Sequence, residues 1–175
     1  HPRVDGVGPF LVATEAGQRE LLGLHHARRH QGDAHRLVDE LEAQRLGHDV
    51  HPVLGNNACI ARAMQLTPNG GFLDYKGLSV GVTCEAELSL EEVISRFTNA
   101  LDGGRVHVCA GGPKLTRKIG ISSGGSGSEV AAAAKAGVDT FITGEGPHWS
   151  YTLAEELGIN VLYGGHYATE TFGVK

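Results

Sequence analysis

The sequence predicts an α/β domain with a mainly parallel or mixed sheet and flanking helices, a family-like fold cut at both ends. Three observations predict it. From residue 49 onward, short apolar strand-like runs alternate with helical patterns of about ten residues. Glycine, asparagine and serine clusters punctuate the alternation. Hydrophobic residues make up 41% of the 175, enough for one ordinary core and far from a disordered composition.

Taken in order, residues 1–48 are the atypical part. Residues 1–50 hold six Arg but no Lys, Ile, Tyr or Trp. Pro9–Ala13 reads as a short strand, and Glu15–Leu24 and Ala34–Leu46 as helices, the second with Asp33 as its cap. The first residue is His1 rather than Met, and Lys175 follows directly on a motif, so both ends read as cut. The division is therefore an N-terminal segment of doubtful fold, 1–48, and an α/β domain, 49–175.

In the second part, Asn56-Asn57 is placed to cap a helix over Ala58–Leu66. Thr67–Gly71 reads as a loop, and Leu78–Thr83 as a strand, because Leu78, Val80 and Val82 alternate with small or polar residues. Ser89 and Glu92 form a capping box for a helix to Leu101, with Leu90, Val93, Ile94, Phe97 and Leu101 on one face. Val106–Cys109 and Ile119–Ser122 are strands. Ser122–Ser128 is a glycine-rich loop before the helix Glu129–Ala136. Asp139–Thr143 and Asn160–Tyr163 are strands on either side of the helix Trp149–Leu157, which Gly158 stops.

The bulk properties exclude several classes. A formal net charge of −5 with no basic run beyond Arg28-Arg29 argues against a nucleic-acid partner. No apolar run approaches the roughly 20 residues that span a bilayer, and no signal-peptide pattern is present. Cys59, Cys84 and Cys109 are odd in number and widely spaced, which fits reduced thiols in a cytoplasmic protein rather than a disulfide or zinc-knuckle framework.

Five constellations carry candidate chemistry. His166 and Glu170, in Gly-Gly-His-Tyr-Ala-Thr-Glu, follow an apolar strand. On a helix they are four apart and share a face, offering an imidazole nitrogen and a carboxylate oxygen to zinc, manganese, iron or a similar divalent ion. The bland alternative is a His–Glu pair on a solvated face. His48-Asp49-Val50-His51 offers two imidazoles and a carboxylate, or a polar turn before a helix. His25-His26, with His30 and His35 nearby, offers either a two-metal clamp or a His-rich helix. Ser123–Ser128 is either a tight strand–helix turn or a phosphate cradle. Thr143-Gly-Glu145-Gly-Pro-His148 supplies Glu145 and His148 as partners to a metal ligand or as an acid/base pair.

Together, Asp49-Val-His-Pro-Val-Leu-Gly-Asn-Asn57, Tyr75-Lys-Gly-Leu78, Gly124-Gly-Ser-Gly127, Thr143-Gly-Glu145 and Gly165-His-Tyr-Ala-Thr-Glu-Thr-Phe-Gly173 resemble the GTP cyclohydrolase 1 type 2 homologues, the NGG-interacting-factor-three-like dinuclear metal centre proteins. The resemblance covers about residues 49–175. It implies two divalent metal ions held by paired histidines, an aspartate, and a later histidine and glutamate. Carried onto this chain, the aspartate is Asp49 and the later pair is His166 and Glu170. The paired histidines are His25 and His26, or His1 is the survivor of a cut pair, or residues 1–48 are an inserted or misread stretch without them. The resemblance further implies a homo-oligomer, commonly a hexamer, and a small phosphate-bearing molecule as substrate. Its functional readings are a metal-dependent hydrolase and a non-catalytic metal-binding scaffold or regulatory oligomer.

Overall fold

The strands of the second part assemble into one six-stranded sheet. The computed structural model describes His51 and residues 54–75 and 77–174. The elements expected in residues 1–48, and Asp49 itself, lie outside the described residues. In chain order the elements are helix α1 (Asn56–Ala63), β1 (Pro68–Tyr75), β2 (Leu78–Ser89), α2 (Leu90–Ala100), β3 (His107–Ala110) and β4 (Leu115–Ser122). A 3-10 turn (Ser126–Glu129), α3 (Val130–Lys135), β5 (Thr140–Thr143), α4 (Trp149–Leu157), β6 (Asn160–Tyr163), α5 (His166–Glu170) and a second 3-10 turn (Phe172–Val174) complete them.

The strand order is β1-β2-β4-β5-β6-β3. Strands β4, β5 and β6 run parallel, while β1 with β2, β2 with β4, and β3 with β6 are antiparallel. The sheet is therefore mixed. The parallel part covers only the strands joined through helices, because β1 and β2 pair antiparallel from Tyr75 and Leu78 onward, and a short connection at 111–114 reverses the chain between β3 and β4.

Both faces of the sheet are covered, and the period-two alternation shows it. Ile119, Ile121, Ile142 and Leu162 point to one face, where Ile60 and Ala61 of α1, Met64 at its C-terminal cap, and Leu90, Val93 and Phe97 of α2 meet them. Phe141, Val161 and Tyr163 point to the other, packed with Val130 and Ala133 of α3 and Ala154 of α4. Each fully buried aliphatic side chain here contributes about 1.5–3 kcal/mol relative to exposure.

Three local expectations are corrected. Thr67–Gly71 is not all loop: from Pro68 it belongs to β1, whose glycines let the strand lie close to β2. A Cβ on Gly71 would stand 2.7 Å from Ser79 Cβ. The strand starting at Leu78 runs on to Ser89, because its second half pairs with Leu115–Lys118. Asn56 and Asn57 do not cap α1; the cap residue is Gly55, and both asparagines reach across the fold instead. Ser89 does cap α2, accepting from Glu92 N–H at 3.1 Å, while the Glu92 carboxylate turns to Arg96 at 2.7 Å. Gly158, at φ +66°, ends α4.

One consequence for stability follows from the buried acids. Burial pushes the Cys84 thiol up from 9.0 to about 11. Burial also raises Tyr151 and Tyr163, and raises Cys109 together with the nearby Glu155 charge. These groups stay neutral in the folded chain where the unfolded chain ionises. Stability is thus fully present below about pH 9 and declines as pH rises from 9 towards 11. Urea midpoints at pH 8, 9.5 and 10.5 should fall in that order, and the fall should shrink in Cys84→Ala measured against its own pH 8 value. A flat profile would refute the buried thiol's part in it.

Candidate metal centre

The carboxyl ends of the three parallel strands bring the candidate residues together, as expected for an α/β sheet. After β4 the chain turns through Ser123-Gly124-Gly125; after β5 it passes through Gly144-Glu145; after β6, Gly164-Gly165 lead into α5. The Gly124 peptide is where the three segments meet. Its carbonyl accepts from Gly144 N–H and Glu145 N–H, both at 2.9 Å. Its own N–H donates to Thr169 Oγ1 of α5 at 3.0 Å. Thr169 is buried, and its hydroxyl proton is directed to Gly165 O or His166 O, each 2.9 Å away.

This junction requires residues without side chains. Gly124 has φ +70°, and a Cβ there would stand 2.6 Å from Glu170 Oε1. On Gly144 a Cβ would stand 2.5 Å from Gly124 O and 2.6 Å from His166 Cα. The glycine-rich loop is thus a tight strand-to-helix turn. Its Ser126 is engaged internally, with Ser122 Oγ at 2.9 Å and Ser123 O at 3.2 Å, and Ser128 faces Glu129 at 3.2 Å.

On this support α5 presents His166 and Glu170 on one face. His166 Nε2 and Glu170 Oε1 are 3.3 Å apart, and His166 Nδ1 and Glu145 Oε1 are 2.6 Å apart. The side chains of His166 and Glu170 are 35% and 30% exposed, so the pair is open to solvent while its backbone is anchored. The Glu145 backbone is held by the glycine-rich loop after β4: Gly127 N–H donates to Glu145 O at 3.0 Å. Further along, Ser150 Oγ lies 2.6 Å from Pro147 O and 2.7 Å from the Tyr163 hydroxyl.

The donor pair fits a divalent ion on two counts. Two ligands each about 2.1 Å from a zinc ion at near-tetrahedral angles stand about 3.4 Å apart, close to the separation here. With its proton on Nδ1, towards the Glu145 carboxylate, the ring would present Nε2 as a ligand atom beside Glu170. Among the described residues, no group of three or more His, Cys, Asp or Glu side chains is placed to hold an ion, so this region supplies a pair of donors.

The other sequence candidates divide clearly. Glu145 joins His166. His148 is exposed at the start of α4. His51 Nδ1 accepts from Leu54 N–H at 2.9 Å, the polar turn before a helix that its sequence allows. Asp49, His25, His26 and His1 lie outside the described residues. Sequence reasoning missed Thr169, Gly144 and Asn57, since a lone threonine, glycine or asparagine has no distinguishing spacing. Among the described residues, no helix is long and apolar enough to cross a membrane.

Comparison with known proteins places this geometry in context. The family Duf34/NIF3 (NGG1p interacting factor 3) matches residues 43–175. A "GTP cyclohydrolase 1 type 2 homolog" of Deinococcus radiodurans is 40% identical over 137 residues, covering 77% of this chain and 52% of the relative. One of Archaeoglobus fulgidus is 38% identical over 135 residues, covering 77% of this chain and 54% of the relative. The chain thus spans about half the length of the curated relatives it matches. A solved structure described as "Structural genomics, protein ybgI, unknown function" superposes with a TM-score of 0.67 at 32% identity, over 74% of this chain and 51% of that one.

Proposed function

The chain belongs to the Duf34/NIF3 family, and on that premise we propose that it contributes His166 and Glu170 to a divalent-metal centre, with Asp49 and paired histidines as further ligands in a two-metal site. The observation that supports the reading most directly is the convergence of Nε2 and Oε1 at 3.3 Å, with Glu145 fixing the imidazole from behind.

The proposed activity is hydrolysis of a small phosphate-bearing molecule, in keeping with the relatives' name. When bound, divalent cations supply Lewis acidity and lower the pKa of water. The chain's own residues do the rest. The glycine turn and Thr169 hold α5 in place, and Glu145 keeps His166 in one tautomer. The open face of the pair leaves room for a substrate. Asp49, with two carboxylate oxygens, suits a bridging place. A homo-oligomeric ring, commonly a hexamer, and a cytoplasmic location complete the proposal.

The test is zinc and manganese titration of the chelator-washed full chain, beside Glu145→Gln. Close to two ions per chain supports the complete centre; no binding refutes it. Glu145→Gln should bind zinc about 10- to 100-fold more weakly, because the neutral amide orients the imidazole less firmly. Equal affinity in that variant would remove Glu145 from the site. Metal binding without metal-dependent turnover of nucleotides or phosphate esters would favour the non-catalytic scaffold.

A further inference from the structure

Resting on the metal-centre reading, we infer that Asn57 is a positioning residue for that centre: from the first turn of α1 it fixes the Ser123–Gly124 turn at which the segments after β4, β5 and β6 meet. Asn57 is 1% exposed and uses both ends of its amide on distant backbone. Its Oδ1 accepts from Ser123 N–H at 2.7 Å, and its Nδ2 donates to Val80 O at 2.8 Å. An amide gripped by one donor and one acceptor has a single orientation, so the side chain acts as a rigid strut between α1, β2 and the end of β4.

What the strut holds is the residue before the junction. Ser123 is bonded to Gly124, whose carbonyl organises Gly144 and Glu145 and whose N–H organises Thr169. Gly124 also borders Glu170: a Cβ on it would stand 2.6 Å from Glu170 Oε1. The neighbouring Asn56 makes a matching tie: its Oδ1 accepts from Gly173 N–H, 2.6 Å away, on the chain leaving α5. The two asparagines therefore grip the segments before and after the donor pair. Neither role resembles the helix cap that adjacent asparagines suggest.

The experiment uses the full chain, metal-free and then titrated with zinc against a chromophoric chelator. It compares the wild type with Asn57→Leu, Asn57→Asp and Val93→Ala. Val93 is buried in α2 and serves as a core-destabilised control. Asn57→Leu should lose about 10- to 100-fold in zinc affinity. In the metal-free chain it should speed amide exchange at Ser123 and Gly124 while leaving Ile142 and Leu162 protected. Asn57→Asp keeps the acceptor for Ser123 N–H but loses the donor to Val80 O, and its affinity should fall between those of the wild type and Asn57→Leu. Val93→Ala should lower the Tm without changing affinity. If Asn57→Leu fails to fold, Asn57→Ser, which cannot reach Ser123, takes its place with the same expectation. Unchanged affinity in Asn57→Leu (or in Asn57→Ser where it replaces it), or an equal loss in Val93→Ala, overturns the inference alone. A wild type that binds no zinc overturns the metal-centre reading and the inference with it.

Discussion

His166→Ala should lower zinc affinity by about 100-fold or more while leaving the fold nearly untouched. The two halves of this expectation come from different parts of the same geometry. Replacing a group behind a metal ligand typically costs 10- to 100-fold in affinity, and removing the ligand itself costs at least the upper end of that range. The remaining donor of the pair, Glu170, would then face a gap where Nε2 stood 3.3 Å away. The fold has little reason to respond. His166 is one-third exposed and begins a five-residue helix whose anchor is the Thr169 hydroxyl, not the imidazole. Alanine is also the best helix former. A ligand present at about 100 times its Kd stabilises the folded state by about 2.7 kcal/mol. Added zinc should therefore raise the wild-type Tm measurably and leave that of His166→Ala where it was. Titration calorimetry and a thermal scan with and without zinc check both. A His166→Ala chain that binds zinc as the wild type does would show that α5 is not part of the centre.

Much of the fold was legible because its signals are periodic. Ile119 and Ile121, or Val161 and Tyr163, declare a strand by alternation, and Leu90, Val93 and Phe97 declare a helix face. What stayed hidden is long-range. The glycines of Pro68–Tyr75 resemble loop glycines in sequence; only the pairing with β2 shows that they let two strands lie close together. The antiparallel returns of β1 and β3 depend on tertiary pairing, which alternation of helix and strand cannot specify.

The candidate site divides in the same way. The meeting of His166 with Glu170 was legible because helix residues four apart share a face, and a strand's carboxyl end is where an α/β sheet gathers its site. Glu145 was legible as a partner from its own strand end, yet nothing in its sequence position names His166, 21 residues away, as the group it meets. Asn56-Asn57 was misread for a definite reason. Asparagines at a helix start satisfy helix amides so often that the local reading comes first. Here Gly55 takes the cap position, and the buried amide of Asn57 is used 66 residues away. Polar groups that act over such distances leave no periodic trace.

Gly144→Ala should destabilise the chain by about 3 kcal/mol and weaken zinc binding at the same time. A methyl group is small, but it has nowhere to go. It would stand 2.5 Å from Gly124 O, 2.6 Å from His166 Cα and 2.6 Å from Thr169 Oγ1. The first two are backbone atoms, and the third belongs to a hydroxyl already engaged at both its donor and acceptor sides. No flexible side-chain end is available to yield. Relief requires separating the turn after β4 from α5, which stretches the Gly144 N–H to Gly124 O bond of 2.9 Å and the Gly165 N–H to Gly144 O bond of 2.7 Å. Those two bonds register the β4, β5 and β6 ends against one another. The same movement that relieves the clash therefore pulls Gly124 away from Glu170 and Glu145 away from His166. At about 2–4 °C per kcal/mol for a chain of this size, the Tm should fall by roughly 6–12 °C. The contrast with His166→Ala is the informative part: one variant loses metal with the fold intact, the other loses both because a single glycine sets both. A Gly144→Ala chain with wild-type Tm and wild-type zinc affinity would mean that the three strand ends are not held by this close approach.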